Sequence, residues 1–327
     1  MTGIEFFRNR LRRYGFTIFF VLLPFLGGLL TSCGGGDSMP VRVNRLDLAL
    51  RDTDRPLPPE MEDAARTLFA LSGYGALTDS ALSVYAASPS ILVHAHAVDS
   101  LWSDLRPLES SLGRMKFNYA HLFPDNVFPS VYAVVSPFNQ SVFTADTLLF
   151  LGLNHYLGAS YAPYGYFPDF IRQRKVPARI LPDIAEAIMR RDYPYQPQSE
   201  YPTVLSRILY EGALTEAVMQ LAGMSEQEAL GYTDEQMAWL EKNERRIWEK
   251  LVVEKMLFST DLQLASSLVS PAPFTSAVNP ESPGMAGRFI GHRIVSSYLD
   301  RRARPVSWLL TPAFYESQTS LSDSGYN

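Results

Sequence analysis

Cys33 is the one cysteine in a chain of 327 residues, and it stands at the end of an apolar run close to the N-terminus. A single thiol excludes an internal disulfide framework and a cysteine-based zinc site, so neither device holds this fold together. The composition supplies the alternative: 46% of the residues are apolar and 19% charged, a balance that builds a globular core and gives no reason to expect disorder. The formal net charge of −5 provides no general attraction to phosphate. No local basic patch is strong enough to suggest nucleic acid as a partner. An exposed free thiol is a liability in an oxidising compartment, so a lone cysteine in this position suggests covalent use.

The surrounding residues give that use a form. Arg8, Arg10, Arg12 and Arg13 make a basic n-region, followed by an apolar h-region over residues 16–30. That run is short of the roughly 20 apolar residues a spanning helix needs. Pro24, Gly27 and Gly28 weaken it further as a helix. The run Leu30-Thr31-Ser32-Cys33 resembles a lipobox, in which an apolar residue and two small ones precede the cysteine that receives lipid. Cleavage before Cys33 and lipidation (diacylglyceryl, palmitate) on it are therefore expected, leaving the membrane as a partner through the anchor. An ordinary signal peptide that happens to contain a cysteine is the alternative. Arg12-Arg13 lacks the flanking residues of a twin-arginine signal. Gly34-Gly35-Gly36-Asp37-Ser38 reads as a flexible tether. No aspartate follows the cysteine directly, which by known sorting rules favours the outer membrane, facing the periplasm. The expected organisation is a signal peptide over residues 1–32, a lipid-anchored linker over 33–57 and one globular domain over 58–327.

Within that domain the apolar spacing predicts helix over residues 58–113, carried by Met61, Ala65, Leu68 and Leu71. Between residues 131 and 146 the period changes to two, with Pro137-Phe138-Asn139-Gln140 as turn residues, which predicts a β-hairpin. Residues 148–157 fit a third strand or a buried helix equally well. Helices are expected over 183–191 and 204–221. Thr233 with Gln236 makes a capping box for a long helix reaching about residue 258, its face formed by Met237, Leu240, Ile247, Leu251 and Met256. A last major helix is expected from about Pro283, with Gly284, Gly287 and Gly291 allowing close approach of another backbone. The fold class is thus α+β, mostly α, with a small sheet or hairpin.

The chemistry is harder to place. A zincin-type metallopeptidase needs two histidines one helical turn apart with a glutamate between them. None of His94, His96, His121, His155 and His292 stands three or four residues from another. His94 and His96 would share a face only in a strand. No G-x-S-x-G elbow, P-loop or dinucleotide fingerprint occurs, and no cofactor is implied. Asp183, Glu186 and Glu211 are the carboxylates to follow, because they lie in or beside apolar helical segments where burial raises a carboxylate pKa. Facing solvent or capping helices is their ordinary role. Aromatics are abundant over residues 117–170, which suits either a sugar- or peptide-binding surface or a core. Arg288, Arg293, Arg301, Arg302 and Arg304 read as a basic edge for an acidic partner or anionic headgroups, or as a solvated helix face.

Several segments, taken in order, resemble the GldB family of lipoproteins from gliding Bacteroidetes and their non-gliding relatives. They are Ser130-Val131-Tyr132-Ala133-Val134-Val135-Ser136, Leu148-Leu149-Phe150-Leu151-Gly152-Leu153 with Tyr156-Leu157-Gly158, and Pro182-Asp183-Ile184-Ala185. Gly231-Tyr232-Thr233, Asn243-Glu244, Pro271-Ala272-Pro273-Phe274 and Glu281-Ser282-Pro283-Gly284 follow. The resemblance implies a non-enzymatic envelope protein that supports gliding motility or associated secretion through protein contacts. The family is in turn distantly similar to predicted zincin-type proteases, which implies a zincin-like domain. Tyr210-Glu211-Gly212-Ala213-Leu214 looks like the Glu-Gly element of such a site, with Ala213 where the family suggests lysine. Residues 181–186 stand where the histidine helix would be. The histidines are missing, so Asp183, Glu186 and Glu211 are expected to mark a vestigial site with neither metal nor catalytic residue. The alternatives are a hydrolase using Glu211 and a sugar- or peptide-binding lipoprotein.

Overall fold

The computed structural model describes residues 38–136 and 140–327. The signal segment, Cys33, the glycine tether as far as Asp37, and Pro137 to Asn139 of the expected turn lie outside the described residues. The helices of eight residues or more are α1 (Glu62–Leu71), α2 (Asp79–Ala86), α3 (Pro89–Leu101), α4 (Arg106–Leu122), α5 (Ile180–Asp192), α6 (Val204–Ala222), α7 (Asp234–Val253), α8 (Leu262–Val269) and α9 (Ala286–Arg301). Among the described residues no single helix is long and apolar enough to cross a membrane.

α6 is apolar on nearly every side, which makes it a central helix rather than a surface one. Thr203 opens it by accepting a hydrogen bond from the Ser206 amide, and Gly223 closes it in the left-handed conformation at φ 65°. α9, α5, α4 and α8 pack around it. Against α9 the approach is backbone to backbone. A Cβ on Gly212 would lie 2.2 Å from the Gly291 carbonyl, and one on Gly291 would lie 2.1 Å from the Ile208 carbonyl oxygen. Only glycine fits at either position, so the glycine spacing seen in the sequence does set a close helix crossing. α9 starts at Ala286, after a turn at Pro283 to Met285.

The sheet has four strands in the order β1 (Val43–Arg45), β2 (Ser130–Val134), β4 (Leu148–Gly152) and β3 (Val142–Ala145). β1, β2 and β4 are parallel, with Val131 opposite both Val43 and Leu149, while β3 runs antiparallel to β4. Two expectations are corrected here. The hairpin does not join residues 131–135 to 141–145, because β4 lies between them; the hairpin is β3 with β4, turned at Asp146 with φ 51°. Val131, Tyr132, Ala133 and Val134 are all buried, the mark of a central strand with both faces covered, and not of a half-exposed hairpin arm. The globular unit also begins at Ser38 and not at residue 58, since Val43–Arg45 is the first strand of the sheet.

The helical N-terminal region is present but broken into four helices and extends to Leu122. The Thr233 capping box is formed in both directions, although α7 stops at Val253 and a separate 3-10 turn covers Met256–Phe258. The result is mostly helical, α+β, with a small mixed sheet.

Candidate functional site

α5 presents two faces. Ile180, Ile184, Ala185, Ile188 and Met189 enter the core at helical spacing, and Pro182 is tolerated because it falls in the first turn. The opposite stripe of Asp183, Glu186, Ala187, Arg190 and Arg191 lines an open cleft of about 730 Å³. α6 contributes Arg207 and Glu211, α9 contributes Arg288, and Ser141 to Thr144 of the β3 segment form the facing wall. All three carboxylates singled out in the sequence therefore meet in one place.

None of them is unpaired. Arg190 grips Glu211 with two nitrogens at 3.1 and 2.7 Å. Arg207 lies 2.8 Å from Glu211 and Arg288 lies 3.5 Å from it. Glu211 is 1% exposed. Glu186 accepts from the Arg190 Nε at 2.9 Å and from Arg288 Nη2 at 3.1 Å. Asp183 accepts from Arg179 at 2.7 Å and from the Tyr156 hydroxyl at 2.9 Å.

The expected rise in carboxylate pKa is overturned for Glu186. Burial pushes it up, but the charges of Arg288 and Arg190 and their hydrogen bonds outweigh burial and hold it well below the usual range. Burial, with Asp183 adding to it, pushes the Tyr156 hydroxyl well up, so it stays a donor. One pairing of each glutamate is local in the sequence, since Glu186 with Arg190 and Arg207 with Glu211 are each four residues apart on a helix. Arg288 joins them only through folding, across 102 residues.

A second, more apolar cleft of about 590 Å³ adjoins the first, and Arg174 and Pro271 line both. Leu181, Met224, Tyr232 and Met285 are among its walls. Arg174 is half-buried and donates to the Leu230 carbonyl at 2.9 Å. Burial and the nearby charge of Arg179 pull its pKa down to about 10, so it remains a cation at neutral pH.

The other sequence candidates separate from this site. His94 and His96 lie on α3, where a spacing of two splays them: His94 meets the Tyr161 hydroxyl at 3.2 Å and His96 is exposed. His292 lies between Glu216 at 2.9 Å and Glu226 at 2.6 Å. Among the described residues no group of three His, Cys, Asp or Glu converges as a metal-binding set. Tyr119, Phe123, Tyr132, Phe150, Tyr156 and Tyr164 are core residues, whereas Phe117 and Tyr166 are exposed, so the aromatic stretch is divided between core and surface. The basic edge divides: Arg301, Arg302 and Arg304 are exposed, as on a solvated face, while Arg288 and Arg293 are withdrawn into ion pairs. Arg288 is buried in the cleft wall, Arg293 pairs with Glu226, Arg302 pairs with Asp323, and Arg304 lies over the Trp308 ring.

A family model described as gliding motility protein GldB matches residues 37–327, the whole of the globular unit. The chain belongs to the GldB family. This GldB-family chain is therefore related to gliding motility and to the cell envelope, as the lipoprotein family is. No curated protein and no solved structure matches it significantly.

Proposed function

We propose that this chain is a lipid-anchored envelope protein that supports gliding motility or the associated protein secretion through protein contacts and not through catalysis. The observation that carries the reading is the arginine pairing of the site: Glu186 and Glu211 are shared among Arg190, Arg207 and Arg288. A general base needs a carboxylate with a proton affinity near the working pH, and Glu186 is driven the other way. Glu211, the residue that resembles a zincin ligand, has its oxygens committed to guanidinium groups instead.

In this reading Cys33 carries the lipid, the tether that follows lets the globular unit stand off the bilayer, and the periplasmic face of the outer membrane is its place. Deleting the gene is expected to impair gliding or envelope secretion. Complementation with Cys33→Ser should fail although the protein is folded, whereas Glu186→Gln should restore function wherever the variant accumulates. Normal motility and secretion in the deletion strain would overturn the proposal. So would stoichiometric zinc in the purified protein that is lost on changing Glu211 to Ala.

A further inference from the structure

The free edge of the sheet opens into the arginine cleft. Among the described residues β3 pairs only with β4, and Ser141, Val142, Phe143 and Thr144 all line the cleft in succession. Side chains of a strand alternate between faces, so an unbroken run of lining residues means that the strand presents its backbone edge. The ladder gives the phase. The Gly152 amide donates to the Ser141 carbonyl at 2.8 Å, and Val142 stands opposite Leu151. In an antiparallel pair hydrogen-bonded positions alternate, so Val142 and Thr144 turn their N–H and C=O groups away from β4 and toward the cleft.

We propose that this cleft is a docking groove in which an extended, acidic segment of a partner polypeptide adds to β3 as a fifth strand. The backbone groups of Val142 and Thr144 supply the ladder, the general means by which an exposed edge captures a peptide. Charge selects the occupant. Five arginines line the cleft against three carboxylates. Arg174 has one backbone partner and, among the described residues, no carboxylate within 4.0 Å. A carboxylate matches the planar fork of a guanidinium group. The adjoining apolar cleft shares Arg174, so a hydrophobic side chain next to the acidic one would be accommodated there. A row of peptide donors and acceptors matches a polypeptide and offers nothing to an acyl chain.

This inference rests on the reading of the chain as a protein-contact component, and the experiment separates the two. A random dodecapeptide library is panned against the full-length lipoprotein in detergent micelles, and binding of the most enriched peptides is measured by fluorescence polarisation. Enrichment of acidic, β-prone sequences is expected. Arg174→Gln should weaken them at least tenfold, and methylating alternate amide nitrogens of the peptide should weaken them as much while leaving the protein untouched. No enrichment, enrichment of basic sequences, or indifference to both changes would overturn the groove. Displacement of the peptides by oleate with no effect of N-methylation would do so too, by assigning the cleft to a small amphipathic anion. If the peptides bind as expected but the deletion strain glides and secretes normally, the groove stands and the functional reading falls.

Discussion

The pair α6 and α9 carries two ionic clusters, one on either side of the Gly212–Gly291 crossing, and they differ in kind. On one side Glu211 and Arg288 belong to a group with three arginines for two glutamates, set in the wall of an open cleft. On the other side His292 bridges Glu216 and Glu226, with Arg293 closing the set at 3.1 Å from Glu226. Arg293 also reaches Glu241 at 3.4 Å and Glu244 at 3.6 Å, so the second cluster sets two cations, when His292 is charged, among four carboxylates. Burial works against that charge, but the hydrogen bonds to Glu216 and Glu226 outweigh it and raise the His292 pKa to about 9. With carboxylates in excess and its members on α6, α7 and α9, a cluster of this kind ties helices together. The first has positive charge left over and faces an opening, which is the arrangement of a surface meant for something else to complete.

The comparison can be broken most directly at Glu211. Removing it leaves Arg207 without a carboxylate and Arg190 and the buried Arg288 sharing Glu186 alone, so Glu211→Ala should cost about 3–5 kcal/mol, read by chemical denaturation. A loss below about 1 kcal/mol would mean that the arginines relax into solvent and that the cluster is a surface feature. His292 comes next. Its folded pKa lies above the unfolded value, so its contribution is complete below about pH 6.5 and is lost as pH rises through about 9. Melts between pH 6 and 10 should show a decline on the order of 3 kcal/mol, absent in His292→Gln. The arginine cluster predicts no such decline, because guanidinium groups stay charged across that range.

Gly291→Ala tests the crossing that both clusters share. The added carbon would meet the Ile208 carbonyl oxygen, so a cost of about 1–3 kcal/mol is expected, with the alkaline decline of the His292 cluster also reduced. An unchanged pH profile would show that the clusters are independent of the crossing. Tyr156→Phe is the mildest change: it removes one hydrogen bond to Asp183, which keeps Arg179, and should cost about 1–2 kcal/mol with no effect on the pH profile.

Much of this architecture was legible wherever the deciding contacts are local. The Thr233 capping box, the apolar face of α7 from Met237 to Leu251 and the glycines of α9 were all visible as short spacings, and each has the expected role. The site was legible in its carboxylates and not in their partners. Arg190 and Arg207 stood at helical spacing from Glu186 and Glu211, but the same spacing occurs on solvated helix faces such as Arg245 with Glu249. What separated the buried pairs from the exposed one was the apolar setting of α6. The hairpin was misplaced because alternation shows that a chain is extended and does not say which strand lies beside it.

By itself the sequence determined the helices, their caps, the residues able to approach closely, and the membership in a family whose model it matches over the whole globular unit. These depend on neighbours three or four residues apart, which a chain carries with it before it folds. Only the tertiary structure decided that β4 separates β2 from β3, leaving β3 with a free edge, and that α9 delivers Arg288 to Glu186 and His292 to Glu216 across 102 and 76 residues. Those choices follow from how buried surfaces fit together, since an ion pair gains its strength from the low-dielectric surroundings that packing creates. The three carboxylates that seemed to mark a vestigial active site each have an arginine four residues away in the sequence; folding brought Arg190 to Glu211 and Arg288 to both glutamates.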